Sequence, residues 1–422
     1  MRLLYSLLLY LLTPLVLLRL LWRGFRAPAY RQRWGERFAR LPAFDAVPRI
    51  WIHAVSVGET QAALPLVRAL RERHPGYRLL ITTTTPTGSE RVRALFGDDV
   101  EHVYLPYDLP GAARRFLHTF QPVVALIMET ELWPNLFRAC KRRGVPVLVL
   151  NARLSERSCR GYRRVAALTR PTLADIRWLA VQGEADARRF LSLGADPARV
   201  RVCGSIKFDV HLPASLREQA EVLRREFGVD RPVWIAASTH EGEDDQVLEA
   251  FRQLRAADAH PHALLVLVPR HPERFAAVAA LCRAAGHRVV ARSSGAPCTP
   301  DTDIYLGDTM GELPMMMAAT DVVFMGGSLV PTGGHNMLEP AALGLPVVFG
   351  PEVFNFEEIS ARLVEAGAAR QVRDAGELAT VVTEWLSDAN ARHETGERGR
   401  HFVEQNRGAR ERMLALIEPC LR

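Results

Sequence analysis

From Ile50 onward the chain repeats one pattern: a short apolar run, a polar turn, then a stretch with helical spacing. Runs at Ile50–Val55, Leu79–Thr83, His102–Leu105, Val123–Met128, Val145–Leu150 and Trp178–Val181 read as strands, with helical stretches such as Leu64–Arg73 and Ala112–Thr119 between them. Apolar runs of this kind suit a parallel sheet covered on both faces, and strand–helix alternation at this spacing predicts a doubly wound α/β architecture. The polar, proline-bearing segment Ser205–Leu216 interrupts the series and reads as an interdomain linker. A second series follows at Val233–Ala237, Leu264–Val268, Arg288–Val290, Ile304–Leu306, Asp321–Met325 and Val347–Phe349, before a helical, charged tail at Leu378–Arg422. Two α/β halves are expected, each binding ligand at the carboxyl ends of its strands. A length of 422 residues accommodates both.

Ahead of the first strand, Leu3–Leu18 is apolar except for Ser6, Thr13 and Pro14. Its 16 residues fall short of the roughly 20 that span a bilayer comfortably, and no small-residue cleavage site follows. Arg19, Arg23, Arg26, Arg31, Arg33, Arg37 and Arg40 cluster behind it against Glu36 alone. Cations beside an apolar segment mark the cytoplasmic side and attract anionic headgroups. An uncleaved anchor with a cytoplasmic body is expected; a buried core helix is the alternative, and spanning or lying in the interface stays open. The net charge of +7 is carried by arginine, Lys141 and Lys207 being the only lysines. It suits anionic lipid or a phosphorylated substrate, and no basic stretch reads as a nucleic-acid motif. The six cysteines form no CxxC pair, so they read as reduced cytosolic thiols rather than a disulfide framework or zinc site. Neither GxGxxG after a first strand nor GxxxxGK[ST] occurs, which sets aside dinucleotide oxidoreductases and phosphate-loop NTPases.

Polar turns at the strand ends carry the candidate chemistry. In Val322–Gly350 an apolar run breaks into Gly326, Gly327, Gly333 and Gly334, then His335-Asn336 opens a helical run at Met337–Leu343. Glycine N–H groups and a helix N-terminus together favour an anion, and Glu339 one turn later suits ribose hydroxyls. His53-Ala54-Val55-Ser56-Val57-Gly58-Glu59 places Glu59 at a crevice edge as a candidate general base, with Pro65 taken to delay regular helix. Glu59 equally suits a helix cap. In Met128–Asn135, Glu129 and Glu131 are expected to leave a strand on one face, or to be solvated loop acids. Lys207, in Ser205–Asp209, could neutralise a substrate anion. Arg270, in Val268–Phe275, suits a bidentate phosphate contact, while the adjacent His271 reads as structural. In Asp308–Leu313, Gly311 allows backbone to meet a base or ribose.

Together, HAVSVGE (His53–Glu59), METELWPN (Met128–Asn135), SIKFD (Ser205–Asp209), VPRHPERF (Val268–Phe275) and GGHNMLEPAALGLPVVFGP (Gly333–Pro351) resemble the 3-deoxy-D-manno-octulosonic acid (Kdo) transferases of Gram-negative bacteria. The resemblance covers nearly the whole chain, with its motifs in family order. It implies the GT-B glycosyltransferase fold: two Rossmann-like domains facing a cleft, behind an N-terminal membrane-anchor helix. The expected boundaries are an anchor over residues 1–22, an acceptor domain over 23–207, a CMP-Kdo domain over 208–400 and a C-terminal helix over 401–422. The implied reaction is inverting and metal-independent, needs no cofactor, and transfers Kdo from CMP-Kdo to the lipid A precursor at the inner membrane's cytoplasmic face. Carried over by position, Glu59 matches the general base, and Glu129 and Lys207 match transition-state stabilisers. Pro269, Arg270, Met310, Gly311, Glu312, Asn336, Met337, Leu338 and Glu339 match the CMP site. Two other readings remain open from the sequence: a GT-B transferase or epimerase using a UDP-sugar, and a non-catalytic nucleotide-sugar binder at the membrane.

Overall fold

The apolar runs assemble into two seven-stranded sheets, each parallel throughout. The computed structural model describes residues 1–42, 44–45, 47–256 and 260–421. Arg422, last residue of the expected C-terminal helix, lies outside them. The strands of the first sheet are β1 Arg49–His53, β2 Arg78–Thr83, β3 Glu101–Tyr104, β4 Pro122–Met128, β5 Val147–Ala152, β6 Trp178–Val181 and β7 Val200–Val202. Those of the second are β8 Val233–Thr239, β9 Leu264–Pro269, β10 Val289–Ala291, β11 Ile304–Leu306, β12 Val322–Met325, β13 Val347–Phe349 and β14 Ala369–Gln371. Two compact units result: Met1–Asp209 joined by the returning segment from Arg407, and Val210–Asn406.

The first sheet runs β3-β2-β1-β4-β5-β6-β7, the second β10-β11-β9-β8-β12-β13-β14. In both, the winding direction reverses beside the unit's first strand, between β1 and β4 and between β8 and β12. Crossover helices leave these points uncovered, so the carboxyl ends of the two strands form a crevice. Both units are Rossmann-like, with the strand arrangement of GT-B glycosyltransferases.

Alternation along β1 builds the first core. Trp51 packs on one face with Phe116, Phe120 and Phe137, its ring 4.8 Å from that of Phe116, while Ile50 and Ile52 point into the other layer with Leu66, Met413 and Ile417. Each large apolar side chain so buried contributes about 1.5–3 kcal/mol. In the second unit Trp234, Leu265, Phe251, Phe324 and Trp385 do the same.

Most strands lie where apolar patterning places them. β5 starts two residues later than expected, because the Val145 N–H closes the end of the preceding helix on the Cys140 carbonyl, 3.0 Å away, and Pro146 has no N–H to give. The edge strands β7 and β14 have exposed residues and no apolar signature. All six cysteines are free thiols.

The helix Ala409–Ile417 belongs to the first unit's core, and a carboxylate fixes it there. Asp209 accepts the Gly408 N–H at 2.6 Å and the Arg410 N–H at 2.5 Å, capping the helix from 200 residues away in sequence. Replacing Asp209 with alanine orphans both donors. Asp209→Ala should lower the stability of the first unit by about 1–2 kcal/mol in urea unfolding, with Asp209→Asn intermediate.

Candidate active site

At the first reversal point β1 and β4 are in register through Ile52–Leu126 and His53–Ile127, so the turns leaving them are neighbours. The turn after β1 is a variant of the capping box, in which Glu59 reaches the N–H of the residue before the N-cap Ser56. The Ser56 hydroxyl accepts the Glu59 N–H at 3.4 Å, and Glu59 Oε2 accepts the Val55 N–H at 2.8 Å. Helix therefore begins at Val57, not near Pro65, which sits well inside it. Ring closure at Pro65 removes one donor, but the reciprocal cap fixes the start. Glu59 is thus both a helix cap and a crevice residue. Its Oε1 has a long contact, 3.3 Å, with the Ser56 hydroxyl.

β4 ends at Met128, and the chain turns sharply. Glu129 has φ +54°, a left-handed conformation unusual for a residue with a side chain. Strand alternation therefore does not govern Glu129 and Glu131, contrary to the expectation of a shared strand face. The Glu129 carboxylate meets the Arg153 guanidinium at 3.1 Å. Glu131 is half-buried, and burial pushes its carboxyl up to about 7. Burial also pushes Glu59 up to about 7, and the negative fields of Glu129 and Glu131 push the same way. Three carboxylates thus meet at one strand-end crevice.

His53, by contrast, is wholly buried; Nδ1 lies 3.0 Å from the Thr82 carbonyl, and burial lowers its pKa to about 4. It is a core residue. Lys207 is half-buried on the short turn Ile206–Phe208, which packs against the helix Val57–Arg73. Asn151 holds that turn by accepting the Ile206 N–H at 3.1 Å.

In the second unit, the glycine turn after β12 departs from expectation. Glu243, fully buried after β8, fills it: its carboxylate accepts the N–H groups of Gly327 (2.7 Å), Ser328 (3.0 Å), Leu329 (2.9 Å) and His240 (3.1 Å). The first glycine pair is an anion site occupied by the protein's own carboxylate. Gly326 is required at this junction, because a Cβ there would lie 2.7 Å from the Ser238 carbonyl oxygen. The following helix is also shorter than expected, Leu338–Ala342, with the Leu338 N–H taken by Asn336 Oδ1 at 3.2 Å. A five-residue helix has little dipole to offer.

Basic side chains surround this turn. Arg270 is exposed at the end of β9, its backbone N–H donating to the Thr239 carbonyl at 3.0 Å, with Pro269 buried behind it. His240 and His335 stack with ring centroids 5.1 Å apart and Nε2 atoms 2.8 Å apart, and His271 meets His240 edge-on. Burial and the charges of His240 and Arg270 lower His335 to about 4. Asn336 Nδ2 donates to Glu339 Oε1 at 3.0 Å, and burial raises the Glu339 carboxyl. Met337 and Leu338 have fully buried side chains and offer a ligand only backbone. Met310 is exposed and Gly311 has φ +86° with open space beside it, whereas Glu312 is held by Arg292 at 2.9 and 3.1 Å and by the Thr309 hydroxyl. That ion pair keeps Glu312 below the usual carboxylate range.

Glu243 and His240 were not among the residues singled out from sequence. Their signal is the polar run Ser238–Glu243 ending an apolar strand, the same sign that marks the other turns.

Residues 32–210 match the family model described as 3-Deoxy-D-manno-octulosonic-acid transferase (kdotransferase), and residues 235–402 match the model of glycosyl transferases group 1. The chain is 41% identical over 423 residues to the 3-deoxy-D-manno-octulosonic acid transferase of Haemophilus influenzae, covering 100% of this chain and 99% of that one. It is 40% identical over 433 residues to the enzyme of the same name from Bordetella pertussis, covering 99% of each. This chain belongs to the Kdo transferase family. It is a glycosyltransferase of lipopolysaccharide core biosynthesis. Its fold is also that of UDP-GlcNAc 2-epimerase from Neisseria meningitidis, with a TM-score of 0.56, 15% identity and coverage of 88% of this chain and 100% of that one.

The raised Glu131 carboxyl makes a stability prediction for this Kdo transferase. Ionising Glu131 costs the folded chain more than the unfolded one, so the cost begins as pH rises past 4.5 and is complete above about 7. Glu131→Gln should therefore melt higher than the parent at pH 8 and equal to it at pH 4, read by thermal unfolding across that range.

Proposed function

We propose that this enzyme transfers Kdo from CMP-Kdo to the glucosamine 6′-hydroxyl of the lipid A precursor lipid IVA, with inversion, and that Glu59 is the general base. The observation that carries the reading is the Glu59 carboxylate: capped through one oxygen, at the reversal point of the first sheet, and pushed to about 7. A base with a pKa near the working pH is ionised often enough to act and basic enough to take a proton.

In the step, the acceptor oxygen attacks the anomeric carbon of Kdo from the face opposite CMP. As the new C–O bond forms, the bond from that carbon to the phosphate oxygen breaks and its electron pair leaves with CMP. The acceptor's proton passes to Glu59. Arg270 takes the phosphate with the Gly333–Asn336 turn, in a field made positive by Arg270 and Arg274. The glycine pair at Gly326–Gly327 takes no part, because Glu243 fills it. Glu339 receives ribose hydroxyls, while Gly311 frames the cytidine through backbone, since the Glu312 carboxylate is engaged by Arg292. Fixed donors of this kind contribute about 3–4 kcal/mol each to leaving-group stabilisation. Glu129 and Lys207 stabilise the transition state; family position supports both, and the left-handed backbone at Glu129 favours it over Glu131, since strain concentrates at functional positions. The N-terminal helix and the arginines behind it hold the enzyme at the cytoplasmic face of the inner membrane, beside its lipid acceptor.

Freshly generated CMP-Kdo with tetraacyl lipid A precursor should give products heavier by one or more Kdo units. Glu59→Gln should lower kcat by about 10²–10⁴ while CMP binding is retained. In the parent, kcat/KM should rise with pH through a limb near 7, because Glu59 must lose its proton to act. Normal turnover by the variant would remove Glu59 from the mechanism.

A further inference from the structure

The N-terminal helix Arg2–Arg26 is long and apolar enough to cross a membrane. Its surroundings give it another orientation. Ser6, Leu9, Thr13, Leu17, Leu20 and Gly24 recur every three or four residues and are among its less exposed positions, from the second turn to the last. One stripe along the helix therefore faces protein over about 27 Å, at 1.5 Å per residue.

Polar bonds fix the amino-terminal end to the body of the first unit. Arg2 donates to Asp175 at 3.2 Å, the Tyr5 hydroxyl donates to Asp108 at 3.1 Å, and the Ser6 hydroxyl lies 3.1 Å from Asn135 Oδ1. Asp108 and Asn135 are structural groups of a soluble domain. Asp108 is 3% exposed and accepts the N–H groups of Asn135 and Leu136 at 3.0 and 2.7 Å, capping the helix Pro134–Arg142 that follows the Glu129–Glu131 turn. Asp175 also holds Lys141 at 2.9 Å. A spanning orientation would carry Arg2 to the far side of the bilayer, tearing it from Asp175, or drag these charges into hydrocarbon, where ionised groups are strongly disfavoured.

The opposite face is a row of leucines. Leu3 is 88% exposed, Leu11 66% and Leu18 60%, with Leu4, Leu7 and Leu15 beside them. Arg19 and Arg23, both exposed, close the row at its carboxyl end. A helix with one face on protein, one continuous apolar face and cations at its rim fits the boundary between acyl chains and anionic headgroups.

We infer that this helix does not cross the membrane but lies in its plane, its polar stripe locked to the catalytic body through Asp108, Asn135 and Asp175 and its leucine face sunk in the cytoplasmic leaflet. The inference rests on the membrane association proposed above. It places the acceptor bilayer against the unit that carries Glu59, with the helix as part of that unit rather than a leash.

The test is depth. Leu4→Cys, Leu11→Cys and Leu18→Cys, made singly in the full chain with Cys298→Ser and Cys420→Ser, share one helix face and span about 21 Å of helix. Each is labelled with bimane and bound to vesicles of phosphatidylethanolamine and phosphatidylglycerol carrying nitroxides at shallow or deep acyl positions. Kdo transfer by each labelled protein verifies that it is folded. Equal, shallow quenching at all three sites is expected. Deep quenching at Leu11 with shallow quenching at Leu4 and Leu18 would mean a spanning helix and overturn the inference alone. Failure of the chain to sediment with vesicles would overturn the membrane reading as well.

Discussion

Both halves of this enzyme depend on one constraint of parallel sheets: where the winding direction reverses, two adjacent strands end with no crossover above them. In the first unit those strands are β1 and β4, and the turns leaving them bring Glu59, Glu129 and Glu131 together. In the second they are β8 and β12, in register through Ala237–Met325, and the turns leaving them bring Glu243 to the N–H groups of Gly327, Ser328 and Leu329. The same geometry serves two purposes. One crevice concentrates carboxylates, of which Glu59 and Glu131 are destabilised by burial; the other spends a carboxylate on satisfying backbone donors that would otherwise be orphaned in the core.

That second use changes how the glycine-rich turn works. An N–H nest at a strand end looks like a phosphate site. Here a buried carboxylate holding four N–H bonds makes the turn rigid, and rigidity is what positions the groups further along. Gly333 and Gly334, both with positive φ, turn the chain again before His335 and Asn336. Arg270 and the imidazoles of His240, His271 and His335 stand on the rim of a scaffold whose own backbone donors are already satisfied.

Much of this was legible from residue patterns. The long apolar strands, the alternation and the polar turns specify two doubly wound halves, because a buried parallel strand has no other way to read. The pattern fails where physical causes compete. Val200–Val202 and Ala369–Gln371 are edge strands whose exposed residues carry no burial signal. Pro65 suggests a delayed helix, yet the Ser56–Glu59 capping box, written in four residues, outweighs it. Glu312 and Arg292 pair across 20 residues, and Glu243 reaches a turn 84 residues away; contacts of that kind follow from topology and leave no local trace.

The acidic crevice has an energetic logic of its own. Moving a carboxyl from 4.5 to about 7 reflects an unfavourable ionised state of roughly 3 kcal/mol by the usual conversion. Two such groups, with Glu129 in a left-handed conformation beside them, make this turn a place where the fold carries strain. The surrounding structure over-determines it: a seven-stranded sheet below, the Asp108 cap on the helix Pro134–Arg142, and Arg153 against Glu129. The N-terminal helix enters the same frame, because the Asp108 carboxylate that caps Pro134–Arg142 also receives the Tyr5 hydroxyl. The N-terminal helix and the helix that follows the acidic turn therefore share a buried group. The helix Arg2–Arg26 thereby helps brace the unit that must hold an unfavourable carboxylate in place.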